Sequence, residues 1–296
     1  MVRQRPAKPP SLSSNLSATF SLYVETFLVL YLVSTPIGNL QDITLRALEI
    51  LKKVDLILCE DSRRSSILLQ KYQIKKTLIP FHKFNEAKTQ EKILEDLRSG
   101  KEIALISDAG TPCINDPGEL LLGACIAEKI PFTAIPGPCS VIQALLLSGF
   151  DASRFQFVGF FPKKNLKGFL KTLLYYPGTS IGFESPERVI KTLALIQELS
   201  PDREVAAVRE MTKMFEECVR GKVSEVAAHF QKKEPKGEFV LLVGKGSAPE
   251  ESLPLDELLK LLQELHGLSL KEAIKMASQL TGEPKSAVYK QAHEIP

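Results

Sequence analysis

A repeating rhythm constrains this chain more than any single motif. Short apolar runs, LVLYLVS (28–34), VDLILCE (54–60), TLIPFH (77–82), EIALISD (102–108) and PFTAIP (131–136), alternate with stretches whose apolar residues recur at helical spacing. Those stretches predict helices near 43–53, 63–72, 86–99 and 117–129, with another after 138. A strand that is apolar on both faces must be covered on both, and strand–helix alternation supplies that cover in a mainly parallel sheet. In such sheets ligands bind beyond the carboxyl ends of the strands, so the loops after 34, 60, 82, 108 and 136 are where function is expected.

A second α/β unit is predicted from about Phe155, with strands at 155–160, 179–185, 203–210, 215–221 and 238–244 and helices near 165–174, 186–199 and 223–231. Two strands flank MTKM (211–214) closely enough to predict an antiparallel hairpin, which makes this sheet mixed. From 247 the chain turns Leu-rich and predicts a three-helix module over 255–267, 268–282 and 284–294. Gly267 and Gly282 fit helix ends there, and Pro284 a first turn. The expected division is an extension over 1–26, an α/β domain over 27–150, a second over 151–246 and a helical module over 247–296.

Length supports this division, since 296 residues can build two cores and a small appendage. A net charge of +3 permits an acidic partner such as RNA without demanding one. Five scattered cysteines, odd in number and without a C-x-x-C pair, suit the reduced thiols of cytoplasm, and four isolated histidines offer no metal site. Arg3, Arg5 and Lys8 precede FLVLYLV (27–33) much as in a signal peptide, but Glu25 interrupts the approach and no small-x-small cleavage site follows. Seven apolar residues are also too few to span a bilayer, so no membrane association is expected and residues 1–26 read as a disordered Pro/Ser-rich extension.

The loops can now be weighed one at a time. STPIGNLQD (34–42) sits where a dinucleotide fold would carry G-x-G-x-x-G, yet it holds a single glycine, which argues against a nicotinamide or flavin site. EDSRR (60–64) has a bland reading, a helix start with Asp61 or Ser62 as cap and Arg63 and Arg64 solvated. FHKFNE (81–86) supplies His82 and Glu86. ISDAGTPCINDPG (106–118) and AIPGPCS (134–140) combine Gly110 and Gly137 with Pro112, Pro117, Pro136 and Pro138, a composition that makes rigid loops able to hold a ligand against main chain.

Taken in order, TPIGNLQDITLRALE, EDSRRS, SDAGTPCINDPG, PGPCSVIQALLLSG, FESPERV, REMTKMFEE and PKGEFVLLV resemble the tetrapyrrole methylase superfamily, and most closely its bacterial ribosomal RNA small-subunit methyltransferase I group. The resemblance spans about residues 28–290 and implies two α/β domains with a small helical module, S-adenosylmethionine bound in the cleft between the domains, and a homodimer. The implied reaction is 2′-O-methylation of a cytidine ribose in 16S rRNA, on free RNA or on the small ribosomal subunit. By the same resemblance Pro36, Asp108, Ala109, Gly110, Thr111, Pro112, Pro136, Gly137, Pro138, Cys139 and Ser140 are expected at the cofactor, with Phe183, Glu184 and Ser185 from the second domain. Several positions depart from the group's usual pattern: Arg64 stands for a histidine, Cys113 for a glycine, Asn115 and Cys139 for serines, and Glu187 for a histidine.

The chemistry is in-line attack of a hydroxyl on a methyl carried by a good leaving group. Alignment can contribute roughly 7–11 kcal/mol and a positioned base about 10²–10⁴-fold, so positioning is expected to dominate. Asp61, Glu210 and Lys213 are the candidate bases, the lysine on condition that burial deprotonates it. Arg63, Arg64 and Arg209 are suited to phosphates, and Lys163, Lys164 and Lys167 add a basic stretch whose bland reading is a solvated helix face. Asp116 is expected to start the helix that follows it. Two other readings stay open on sequence alone: a methylase of a tetrapyrrole or other small molecule, and a non-catalytic RNA-binding assembly protein.

Overall fold

The computed structural model describes residues 30–232, 234–246, 253–264 and 268–294. The extension expected over 1–26 and the helix end expected at Gly267 lie outside them. The chain groups into two compact units, one made of the described residues up to Pro36 with Leu40–Pro138, the other of Ile37–Asn39 with the described residues from Cys139 onward.

In the first unit β1 (Leu30–Val33), β2 (Leu56–Cys59), β3 (Thr77–Pro80), β4 (Ile103–Ile106) and β5 (Phe132–Ile135) form an all-parallel sheet in the order β3-β2-β4-β1-β5. Every residue of β2 and β4 is buried, as unbroken apolar runs require. Alternate residues feed opposite faces. Ile57, Cys59, Ala104 and Ile106 pack with Ala47 and Leu51 of α1 (Leu45–Lys53) and Leu68 of α2 (Ser62–Lys71). Leu56, Leu58, Ile103 and Leu105 pack with Ile93, Leu94 and Leu97 of α3 (Glu86–Arg98) and Leu121 of α4 (Glu119–Ala127). Full burial of one such side chain stabilises the fold by about 1.5–3 kcal/mol, which fixes the register of the central strands. Thr44 starts α1 by accepting the N–H of Ala47 at 3.1 Å.

In the second unit β6 (Phe155–Phe160), β7 (Thr179–Glu184), β8 (Glu204–Arg209), β9 (Glu217–Lys222) and β10 (Phe239–Val243) take the order β6-β7-β10-β8-β9. Only β6 and β7 pair in parallel, and β8 and β9 make the expected hairpin. One face packs on α5 (Ser140–Ser148), whose Val141, Ala144 and Leu145 meet Ile181, Ala206, Val208 and Leu242. This burial groups α5 with the second sheet, although the sequence division at 150 assigns it to the first. The other face packs on α6 (Leu166–Leu173), α7 (Pro186–Leu199) and α8 (Val223–Gln231). The C-terminal helices α9 (Leu255–Glu264), α10 (Leu270–Thr281) and α11 (Lys285–Glu294) share a core of Leu258, Leu262, Ile274 and Val288 with Tyr175, whose hydroxyl accepts the N–H of Leu253 at 2.8 Å. A capping box of Ser269 and Glu272 opens α10, and Gly282 closes it in the left-handed conformation. Among the described residues no helix is long and apolar enough to cross a membrane.

Candidate active site

The loops leaving β4, β1 and β5, adjacent strands, are tied to one another by main chain and small hydroxyls. Thr35 and Gly110 exchange both main-chain hydrogen bonds, at 2.8 and 3.0 Å, so the loops after β1 and β4 continue as a two-residue bridge. Gly110 takes φ +81°, a backbone shape open to glycine. The Thr35 hydroxyl donates to the carbonyl of Ser107 at 3.2 Å, and the Ser107 hydroxyl to those of Ala109 and Gly110, each at 3.2 Å. The Ser34 hydroxyl lies 3.3 Å from that of Thr111, which donates to the carbonyl of Pro138 at 3.2 Å and so reaches the loop after β5. At Gly137 a Cβ would sit 2.8 Å from that of Ser34, closer than real Cβ atoms approach. This position needs glycine for space. The structure thus brings Asp108, Ala109, Gly110, Thr111, Pro112, Pro136, Gly137 and Pro138 together around Ser34, Thr35 and Ser107, and Pro36 follows at the end of the same loop.

The loop after β2 joins this group through Asp108. Its Oδ1 accepts the N–H of Asp61 at 3.0 Å, and its Oδ2 lies 3.5 Å from Nη1 of Arg64. Asp61 caps α2 by accepting the Arg63 N–H at 2.9 Å, and the Arg63 guanidinium grips the same carboxylate through Nε at 3.0 Å and Nη2 at 2.7 Å. These bonds hold the Asp61 pKa down at about 2. The bland reading of EDSRR is therefore right about the cap, and the carboxylate is a poor proton acceptor. Arg63 and Arg64 keep exposed side chains, as the bland reading expects.

The loop after β3 braces the loop after β4. Glu86 is buried, and its Oε1 accepts the N–H groups of Gly118, Leu120 and Leu121 at 3.1, 3.0 and 3.2 Å. A carboxylate from α3 thus serves the orphan donors at the start of α4. The sequence assigns that task to Asp116, whereas the helix starts beyond it and is capped at Gly118. Asp116 is instead partly buried, and its pKa rises to about 6 through burial first and then the negative charges of Glu60 and Asp108, against a hydrogen bond from Ser107 and the charge of Lys83. Lys83 donates to the carbonyl of Asn115 at 2.7 Å. Cys113 and Asn115 take φ +67° and +64°; the group's usual glycine at the first position would hold this left-handed shape without strain. Burial, followed by Glu86 and Asp116, lifts the Cys113 thiol to about 11, so it is not a nucleophile at neutral pH.

The second unit holds the remaining candidates. Ile37–Asn39 belong to it, and the Asn39 N–H donates to the Thr212 hydroxyl at 2.9 Å. Lys213 Nζ lies 2.9 Å from Oε1 of Glu210 and 2.9 Å from Oε2 of Glu238. Burial alone would lower the Lys213 pKa, as the sequence reading requires of a base, but these two carboxylates overcome it and hold the ammonium above its ordinary value. The Lys213 bond in turn lowers Glu210. Glu210 and Thr212 take φ +50° and +65°, rare for such residues and for a β-branched threonine above all. Arg209 is engaged by Glu217 at 2.6 Å and by the carbonyl of Lys236 at 3.2 Å, so its guanidinium is not held free for a phosphate.

Glu184 is buried against Thr192, the N–H of Ser185 and Arg188 at 2.6, 2.9 and 3.3 Å. It orders the start of α7. Phe183 packs edge to face on Phe157 and Phe160 at 5.0 and 5.3 Å, and Ser185 is the N-cap of α7. Cys139 precedes α5, its N–H donating to Gln143 at 3.0 Å, and Ser140 opens the helix. Lys163 and Lys164 are exposed, while Lys167 is paired with Glu198 at 2.6 Å. Sequence reasoning passed over Ser34, Thr35, Ser107 and the role of Glu86. Hydroxyl residues at the mouths of apolar strands were the available signal for the first three. For Glu86 there was none, since its partners lie 32 to 35 residues away. Among the described residues no group of three or more His, Cys, Asp and Glu could hold a metal ion.

Comparison with known proteins matches residues 29–227 to the tetrapyrrole (corrin/porphyrin) methylases and residues 249–295 to the RsmI C-terminal HTH domain. A ribosomal RNA small subunit methyltransferase I of Thermotoga maritima is 50% identical over 218 residues, 73% of this chain and 98% of the relative. The protein of that name from Escherichia coli O157:H7 is 42% identical over 270 residues, 90% of this chain and 94% of the relative. Two solved structures share the fold: a diphthine synthase at TM-score 0.60 and 13% identity, covering 74% of this chain and 91% of its own, and the cobalt precorrin-4 methyltransferase at 0.57 and 19%, covering 73% and 94%. The motif order, the all-parallel first sheet, the mixed second sheet and these matches converge, and the chain belongs to the tetrapyrrole methylase family and, within it, to the ribosomal RNA small subunit methyltransferase I group.

Proposed function

We propose that this methyltransferase uses S-adenosylmethionine to methylate the 2′-hydroxyl of a cytidine ribose in 16S rRNA, as a cytoplasmic homodimer acting on the small ribosomal subunit or its RNA. The observation that carries the reading is the rim tied around Gly110 and Gly137. It offers main-chain groups, small hydroxyls and prolines, and lacks the glycine fingerprint a pyrophosphate needs. A zwitterionic nucleoside donor without phosphates fits that set. Pro36, Asp108 through Pro112 and Pro136 through Pro138 would hold it, with Cys139, Ser140, Phe183 and Ser185 as further contacts. Glu184 is better read as a structural residue.

Bound there, the donor supplies a methyl group on a sulfonium that leaves readily, so the protein's task is chiefly alignment, worth roughly 7–11 kcal/mol. Rigid loops serve alignment. The states of Asp61, Glu210 and Lys213 speak against proton abstraction by any of them: two carboxylates are lowered by cationic partners, and the lysine is held as an ammonium. We assign them to positioning. Arg64, Lys163 and Lys164 are the proposed phosphate contacts, joined by Arg63, whose guanidinium grips Asp61 but stays almost wholly exposed, whereas Arg209 is largely buried against Glu217 and Lys167 is paired with Glu198. Incubation of the full chain with radiolabelled S-adenosylmethionine and either 16S rRNA or small ribosomal subunits is expected to label the RNA. Absence of label from both overturns the proposal.

A further inference from the structure

The strand order divides the functional edge of the first sheet in two. The loops after β4, β1 and β5 form the tied rim, and those after β2 and β3 lie together on the other side of β4. The β2 and β3 ends stay in register, since the Phe81 N–H donates to the carbonyl of Cys59 at 2.8 Å where the two loops begin. This second pair of loops carries Arg63, Arg64, Lys83 and Phe84. Phe84 is 99% exposed, the most exposed of the large apolar side chains described. Single exposed apolar residues are common, but this one is displayed on a braced loop. Asn85 accepts the His82 N–H at 2.8 Å and donates to the carbonyl of Pro80 at 2.9 Å, Lys83 is anchored on Asn115 at 2.7 Å, and the His82 ring packs edge to face against Phe84 at 6.1 Å. Glu86, next in sequence, locks the segment to α4 through three main-chain bonds.

We propose that Phe84 is a stacking platform for a base of the RNA substrate, and that the loops after β2 and β3 form the acceptor side of the site beside the donor rim. A solvated aromatic ring on a braced loop, with guanidinium groups on the loop of the adjacent strand, is the combination that unpaired bases use: the ring takes a base face while the cations take the backbone. Asp108 joins the two halves, since it bonds the Asp61 N–H and faces Arg64. The inference rests on the proposed RNA methylation, and its test separates the two.

The chain contains no tryptophan, so Phe84→Trp places a sole indole at the platform. Its emission is expected to be quenched as small ribosomal subunits or 16S rRNA are added to the full-length protein, to a plateau. Phe84→Ala is expected to raise the KM for RNA roughly 5- to 100-fold while the KM for the donor and the thermal midpoint stay near wild type, and Phe84→Tyr is expected to restore it. Because stacking releases no counterions, the salt dependence of RNA binding should persist in Phe84→Ala and weaken in Arg63→Ala. The platform is refuted if the Trp emission ignores RNA, if Phe84→Ala leaves the RNA KM unchanged, or if its loss of affinity accompanies a change of oligomeric state in sedimentation, which would make Phe84 a contact between copies. Wild-type protein that labels no RNA refutes the proposed function; wild-type labelling with indifferent Phe84 variants refutes the platform alone.

Discussion

The rim of the first unit and the turn between β8 and β9 of the second are both rigid, and they reach rigidity by different physics. Around Gly110 and Gly137 the ties are main-chain bonds and short hydroxyls, which have few rotamers to lose and carry no charge. The turn over 210–216 is held by ions: Lys213 between Glu210 and Glu238, and Glu216 accepting the Thr212 N–H at 2.6 Å. A rim tied by neutral groups leaves a cationic ligand's field to the carboxylates beside it, Asp108 and Asp116, and its ties themselves do not weaken with salt. An ion-paired turn at positive φ is sensitive to salt and pH. The contrast predicts which perturbations each region resists.

The largest effect should come from the brace beneath the rim. Glu86→Ala leaves three main-chain N–H groups at the start of α4 without their acceptor and should destabilise the fold by about 3 kcal/mol, while Glu86→Gln, which keeps a carbonyl oxygen, should cost about half as much. Urea denaturation read by circular dichroism checks both, and equal losses would mean that packing rather than capping matters at this position. Next is Gly137→Ala, which forces Ser34 aside and should cost about 1–3 kcal/mol as an overpacked site. Calorimetry should show donor affinity falling by tenfold or more in that variant. An unchanged affinity would separate the rim from the donor.

Asp116 tests the claim that the neutral rim is flanked by a charge the fold tolerates poorly. Its pKa is raised from 3.8 to about 6, so the folded state binds the proton more tightly. Its ionisation therefore lowers stability as pH rises through that window, by about 1–2 kcal/mol at pH 7 once solvent screening is allowed for. Asp116→Asn should recover that amount at pH 7, should recover nothing at pH 3, and should flatten the pH dependence between the two. A variant less stable than wild type at pH 7 would show instead that the carboxylate is well compensated. The smallest effect belongs to the ion-paired turn. Lys213→Met should cost about 1 kcal/mol at low salt and less at 1 M salt, whereas the Gly137→Ala penalty should not change with salt.

Much of this was legible in the sequence because local pattern determines it. The strands expected at 54–60 and 102–108 announced themselves by their apolar centres, and the strands found there, Leu56–Cys59 and Ile103–Ile106, are buried at every residue. The hairpin at 211–214 and the capped α10 followed from spacing and end residues in the same way. What was not legible depends on distance in sequence. Glu86 reads as an ordinary first-turn acid of α3 until α4 is placed against it. Lys213 reads as a lysine that burial would neutralise until Glu238 arrives from the start of β10. The departures from the group's pattern divide similarly: Cys113 occupies a left-handed position where the usual glycine would be unstrained, while Glu187 stands in the first turn of α7, where its main-chain N–H and Ser185 hold its carboxyl below the usual range.

The central claim is that the first unit's rim presents a methyl donor to a ribose of small-subunit RNA. Mapping 2′-O-methyl groups along 16S rRNA from cells with and without this protein tests it most directly. The account predicts that one cytidine loses its ribose methyl group when the protein is absent and regains it when the wild-type chain, but not Gly137→Ala, is restored. An unchanged map in cells without the protein would contradict it.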